Sequence, residues 1–267
     1  MEGPRIAFRL GPLSVAWYGI IIVSSAMLAA YLAEREARRR GENPDHVWNA
    51  LMLCLILGMV GARLYHVVSS LDYYRQYPMQ IFNTRTGGLA IYGAVAGGAL
   101  ALWLYTRRCG LPFGRWADIA TPGLVLAQAI SRWGNYLNQE LYGYPTSVPW
   151  GIGIDAAHRI PPFDDLATYP MSTRFHPTFL YESIGNLASF ALLVFISRRY
   201  SARLKDGDLI LMYGVLYPLL RLFVEFQRPD AWTIGGIATA QWIAIVSIVL
   251  CGSLLIRRHR SGTTAAA

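Results

Sequence analysis

The chain has 267 residues, of which 54% are apolar and only 15% charged. A soluble domain carries about a quarter charged residues, and the mean hydropathy of +0.32 points the same way. Residues 15–33, 86–106 and 231–256 hold no Asp, Glu, Lys, Arg or His, and one bilayer crossing takes about 20 mostly apolar residues. The composition reads as a polytopic membrane protein. It excludes a soluble enzyme, a nucleic-acid binder and a disordered scaffold.

In chain order, the run 15–33 is about as long as a full crossing, and no cationic n-region with a small-residue cleavage site frames it. It reads as a retained first helix. The second run, 47–71, is apolar except for Arg63 and His66. Residues 72–85 interleave Tyr73, Tyr74, Tyr77 and Phe82 with polar residues, the pattern of an interfacial segment. The third run opens on Gly87-Gly88 and carries Tyr92, Gly93 and Gly97. Gly93 and Gly97, four apart, suit close helix packing. No Gly-Lys-Ser/Thr follows, so this is not a phosphate loop.

The fourth run, 116–131, has Asp118 at its start and is then uncharged to Ser131. Residues 133–176 form the largest loop, broken by Pro145, Pro149, Pro161, Pro162 and Pro170. Within it Val148, Trp150, Ile152 and Ile154 alternate with Pro149, Gly151 and Gly153, a weak strand pattern. The run 177–197 contains only Glu182, and 208–228 carries Arg221 and Glu225 late. With 231–256 this makes seven candidate spans. The expected fold is an all-α polytopic membrane protein: a single integral membrane domain, with a small extracytoplasmic cap at 133–176 inserted between the fourth and fifth helices.

The basic residues orient the spans. Arg35, Arg38, Arg39 and Arg40 follow the first, and Arg107, Arg108 and Arg115 the third. Arg198, Arg199, Arg203 and Lys205 follow the fifth, and Arg257, Arg258 and Arg260 the seventh. Alternate connections hold fewer: Arg5 and Arg9, Arg75 and Arg85, then Arg132, Arg159 and Arg174. The positive-inside rule places the N-terminus outside and the C-terminus in the cytoplasm. The net charge of +8 is therefore a matter of topology and gives no sign of an anionic polymer as partner. Cys54, Cys109 and Cys251 are scattered, without metal-ligand spacing.

An ionisable group within the hydrocarbon is a functional candidate by default. On this topology Arg63 and His66 fall in the outer half of the second span, and Arg132 ends the fourth. His176 and Glu182 begin the fifth, and Tyr217, Arg221, Glu225 and Arg228 lie in the outer half of the sixth. Tyr18 and Tyr92 lie at similar depth. The polar residues thus converge on the outer leaflet.

Tyr217, Arg221 and Glu225 are four apart and Arg228 three further, so all share one helical face. The Arg–Glu pair reads either as self-neutralising or as an arginine held by Glu against a phosphate, a planar match that Lys cannot copy. Ser131 to Glu140, with Gly143 beyond, gathers one Arg, two Asn and a carboxylate. It reads either as helix cap and turn or as a polar binding set. Tyr92 reads as an interfacial aromatic or a site residue.

On these residues the chain resembles bacterial prolipoprotein diacylglyceryl transferase over roughly residues 10–258. The most specific match is S-R-W-G-N-Y-L-N-Q-E-L-Y-G at 131–143. Trp17-Tyr18-Gly19, the Gly-rich run around Tyr92, His176-Pro177 with Tyr181-Glu182, and Arg221 to Glu225 followed by Arg228 support it. No metal, nucleotide or redox cofactor is implied, because the sequence shows no His/Cys/Asp ligand cluster or nucleotide loop. The resemblance implies a transferase of the bacterial cytoplasmic (inner) membrane. It would take the diacylglyceryl group of phosphatidylglycerol to the lipobox cysteine thiol of a prolipoprotein signal peptide, releasing glycerol phosphate, as the first step of lipoprotein maturation. Its partners would be these two substrates and the surrounding membrane lipids, with no nucleic acid. Arg132, Asn135, Glu140, Gly143, Tyr18, Tyr217, Arg221 and Glu225 would occupy the family's functional positions. The chain departs at Tyr92, where many members carry a His that is the usual candidate base.

The chemistry follows from residue types. A thiol must be deprotonated or activated by positive charge, and the leaving group is already near-stable as an anion. Arginines that neutralise the phosphate serve both binding and departure. The expected catalytic set is Arg132, Arg221, Tyr92, Glu140 and Glu225. The lipid-binding set is Arg132, Asn135, Asn138, Gly143, Tyr18, Tyr217, Arg63, His66 and Arg228. A phenol holds its proton more tightly than an imidazole, so Tyr92 suits a hydrogen-bond partner better than a base; Tyr92, His66 and Glu140 all stand as base candidates. An anion transporter and an intramembrane protease using Ser69, Ser70 and His66 are the rival classes. The one-sided crowding of polar residues weighs against the first, and no motif supports the second.

Overall fold

The computed structural model describes residues 6–11, 13–84, 87–229 and 233–260. The expectations on Arg5, Arg85, residues 231–232 and the tail 261–267 lie outside them. Helix makes up 70% of the structure. The helices are α1 (Trp17–Arg39), α2 (Asp45–Ser69), α3 (Leu71–Gln76), α4 (Ile91–Arg108), α5 (Phe113–Asn138), α6 (Thr178–Arg199), α7 (Asp208–Glu225) and α8 (Thr239–Arg260). Each expected span corresponds to one long helix, and α1, α2, α6 and α8 are long and apolar enough to cross a membrane. A short 3-10 turn, Pro78–Phe82, follows α3.

Among the described residues three antiparallel ribbons complete the fold: β1 (Ile6–Leu10) with β2 (Leu13–Ala16), β3 (Ile152–Gly153) with β4 (Arg174–Phe175), and β5 (Thr233–Ile234) with β6 (Ile237–Ala238). The alternation seen at 148–154 yields only the two-residue β3.

Helix ends differ from the sequence reading where backbone chemistry intervenes. The fourth helix runs on past residue 131 to Asn138, so Arg132, Asn135 and Asn138 are helical. The sixth stops at Glu225. Arg228 precedes Pro229, whose ring disfavours helix at the residue before it. Arg228 therefore leaves the helical face it was expected to share. The seventh starts only at Thr239, because Gly235 and Gly236, at φ 61° and 79°, turn β5 into β6 as a two-residue hairpin loop.

The chain forms two compact units, Ala30–Ala120 and the remainder (Met1–Ala29 with Thr121–Ala267), with α1 and α5 running from one into the other. In the first, α2 crosses α4 at glycines. A Cβ on Gly93 would strike the Gly61 carbonyl, and one on Gly97 the Leu57 carbonyl, which is the close packing their spacing suggested. Ala30, Ala33, Ala37, Val47, Trp116 and Ile119 form its core. In the second, Val125, Leu193 and Leu209 join α5, α6 and α7, and Gly123 lets α5 lie directly on the backbone of Ala29. The segment after α5 has its own small core of Tyr142, Ile154, Phe163 and Phe175. Buried Arg159 ties it together by donating to the carbonyls of Ile154 (2.9 Å), Tyr169 (2.7 Å) and Pro170 (3.2 Å).

Candidate active site

Three helices of the second unit bring four charges together. Arg132 stands on the last turns of α5, Glu182 on the second turn of α6, and Arg221 and Glu225 at the end of α7. Glu182 Oε2 lies 2.7 Å from Arg132 Nε, and its Oε1 accepts from Arg221 Nη1 at 2.7 Å. Arg221 Nη2 lies 2.5 Å from Glu225 Oε2, the i,i+4 pair read from spacing. Both carboxylates are buried, and the charges cancel: two guanidiniums, two carboxylates. Such burial is tolerated only with close pairing.

The two arginines are not equivalent. Both terminal nitrogens of Arg221 are committed to carboxylates. Arg132 is held through Nε, while its Nη2 lies 3.4 Å from the Tyr217 hydroxyl. Its Nη1 has no partner among the described residues. Tyr217 in turn stacks on Tyr213, with ring centroids 5.8 Å apart at 25°.

Beyond Asn138 the chain turns sharply through Gln139 (φ 52°) and Leu141 (φ 56°), both in the left-handed region that non-glycine residues seldom adopt. Side chains hold the turn. Gln139 exchanges two hydrogen bonds with Asp155, at 2.8 and 2.7 Å, and Thr178 donates to the Leu141 carbonyl. The turn carries Glu140 back over the helix end, where its Oε1 accepts from the Asn135 amide at 2.9 Å and the Asn138 amide at 3.1 Å. Glu140 is exposed.

The motif glycines serve close approach. The Tyr18 ring covers Gly134 where a Cβ would be. Gly143 is wedged so tightly that a Cβ would meet the Gln227 carbonyl and His176 Cβ, each at 2.7 Å. Its amide donates to the His176 carbonyl (2.9 Å), and Tyr144 donates to that of Gln227 (3.0 Å). This strap leads to Arg228, just past α7. His176 Nδ1 shares a 2.9 Å hydrogen bond with the Tyr181 hydroxyl, which also accepts from Trp150.

Arg63, His66 and Tyr92 belong to the other unit. All five N–H donors of Arg63 face backbone carbonyls: Nε to Ile81 (2.7 Å), Nη1 to Gly87 (3.1 Å) and Gly88 (3.0 Å), and Nη2 to Asn83 (2.9 Å) and Gln80. Its guanidinium also lies over the Tyr74 ring. Gly88, at φ 75°, has no room for a Cβ, which would press on Arg63 and lie 2.8–2.9 Å from the His66 ring. Arg63 thus holds the loop leading into α4. Tyr92, exposed, tilts against Tyr65 at 5.9 Å.

The structure brings together Arg132, Arg221 and Glu225, which the sequence had grouped, and joins them through Glu182, to which the sequence gave no role. The signal was present: Glu182 is the one charge in the run 177–197.

Fold and site define a helical membrane protein with an arginine–carboxylate network between helices. The family described as Prolipoprotein diacylglyceryl transferase matches residues 5–257. A phosphatidylglycerol–prolipoprotein diacylglyceryl transferase of Chloroflexus aggregans is 46% identical over 264 residues, covering 93% of this chain and 87% of its own. Proteins of the same name from Trichormus variabilis (39% identical, 93% of this chain and 86% of theirs) and Ligilactobacillus salivarius (34%, 95% and 93%) are also similar. The chain belongs to the prolipoprotein diacylglyceryl transferase family.

Proposed function

We propose that this chain transfers the diacylglyceryl group of phosphatidylglycerol to the lipobox cysteine thiol of a prolipoprotein, the first step of lipoprotein maturation. The cysteine sulfur attacks the glyceryl carbon next to the phosphate. A sulfur–carbon bond forms, the carbon–oxygen bond breaks, and glycerol phosphate leaves with the electron pair. The thiol proton passes to a base. Of Glu140, Glu182 and Glu225, Glu140 is the one held by amides and not by an arginine among the described residues, which favours it for that role.

The observation that carries the reading is the Arg132–Glu182 pair. Held through Nε, Arg132 keeps its terminal fork for a phosphate, the planar bidentate match that favours Arg. Arg221, itself paired with Glu225, holds the other oxygen of Glu182, so the fork is set before the lipid arrives, as electrostatic preorganisation requires. Asn135, Asn138, Gly143, Tyr18, Tyr217 and Arg228 complete the lipid-binding set. Tyr92, His66 and Arg63 are candidates on sequence grounds.

In this reading the chain is a single integral membrane domain of the bacterial inner membrane with seven spans, the N-terminus outside and the C-terminus in the cytoplasm. The site and the 133–176 cap face outward. The clustering of basic residues on alternate connections supports the orientation. The test is incubation of purified protein with phosphatidylglycerol and a lipobox peptide, followed by mass spectrometry. A peptide heavier by one thioether-linked diacylglyceryl group is expected; an unmodified peptide overturns the reading.

A further inference from the structure

We propose that Tyr213, anchored by Gln128, is a positioning residue that sets the guanidinium of Arg132 through Tyr217; the inference rests on the transferase reading. Gln128 lies four residues before Arg132 on α5, and Tyr213 four before Tyr217 on α7. Residues four apart lie one above the other on a helix, so the same two helices are joined by two successive rungs. In the lower, the Tyr213 hydroxyl donates to Gln128 Oε1 at 2.9 Å. In the upper, Arg132 Nη2 donates to the Tyr217 hydroxyl at 3.4 Å.

The rungs differ in what holds them. The upper one is long and weak, and cannot by itself fix a phenol and a guanidinium. The lower one is of ordinary length, and its tyrosine ring packs against the Val125–Leu193–Leu209 core. The stack of Tyr213 on Tyr217 links them. A ring fixed at its rim by the core and at its hydroxyl by Gln128 is a plate against which Tyr217 has little freedom. Tyr217 then has its hydroxyl directed at the side of Arg132 that Glu182 leaves unused. A purely structural role, satisfying two polar groups inside a helix bundle, predicts different behaviour of paired variants.

The experiment measures kcat, KM and melting temperature of the full chain in lipid nanodiscs, with phosphatidylglycerol and a lipobox peptide. The variants are Tyr213→Phe, Gln128→Leu, the pair combined, and Tyr213→Phe in a Tyr217→Phe background. Tyr213→Phe is expected to lower kcat roughly tenfold, less than the ~10²-fold that an ångström of misplacement can bring, with KM for the peptide unchanged. Combining Tyr213→Phe with Gln128→Leu removes both polar groups, and so restores the melting temperature without restoring kcat. In the Tyr217→Phe background Tyr213→Phe has no further effect, because its action passes through that hydroxyl. Wild-type kcat in Tyr213→Phe overturns the proposal, as does recovery of kcat in the combined variant or an undiminished loss in the Tyr217→Phe background. An inactive wild type speaks against the transferase reading instead. Tyr213 is then judged by phosphatidylglycerol binding in native mass spectrometry, where the same non-additivity with Tyr217→Phe is expected and simple additivity overturns it.

Discussion

Arg132 and Glu182 meet 2.7 Å apart between α5 and α6, and through this pair a motif at the end of one helix is tied to the buried carboxylate of another. Glu182 also takes Arg221 at 2.7 Å, so one carboxylate serves two guanidiniums.

Replacing Glu182 by Gln leaves Arg132 without its Nε partner and Arg221 with Glu225 alone. Breaking a buried pair on one side costs about 3–5 kcal/mol. We expect a clear fall in melting temperature and near-complete loss of transfer. A variant with wild-type melting and turnover would contradict the central place of Glu182.

Arg132→Lys and Arg221→Lys separate the two arginines. Lysine keeps the charge but not the fork. The expected result is a loss of turnover at Arg132 with modest loss of stability, and at Arg221, whose fork is occupied by carboxylates, a loss of both. Equal effects in the two variants, read by kcat and thermal melting, would remove the distinction.

Gly143→Ala forces a methyl against the Gln227 carbonyl and His176 Cβ, both at 2.7 Å. Backbone cannot yield as a flexible side chain does, and overpacking of this kind costs about 1–3 kcal/mol. Lower stability, with displaced Gln227 and Arg228 and weaker lipid binding, is expected; an unaltered melting curve counts against the wedge.

Arg63→Lys has three donors where five carbonyls are served. At least two carbonyls lose their donor, each at about 1–3 kcal/mol where it stays buried. Amide exchange over residues 80–88 should quicken in the variant, and unchanged protection there would show that Arg63 does not hold the loop.

Tyr92→Phe removes only a hydroxyl. If Tyr92 hydrogen-bonds the thiol or the phosphate, turnover falls while folding is kept. Wild-type turnover takes Tyr92 out of the chemistry.

The helical frame and the candidate charges were legible from the residue order alone. Apolar runs long enough for a bilayer allow the backbone few choices but helix, and each run became one long helix. Gly93 and Gly97 were legible as packing positions, and Arg221–Glu225 as an i,i+4 pair, because both depend on local periodicity. Three helix ends were misplaced, and for two of them Pro229 and Gly235-Gly236 carried the information. Which polar groups share partners emerged only from the packing of the helices. Glu182 bridges two helices beyond its own, a relationship between residues 50 and 39 positions away that no periodicity encodes. Arg63, read as a lipid ligand, has its donors turned onto a loop 17 to 25 residues along. A charge in an apolar run announces that it needs a partner; only the packed chain selects which one.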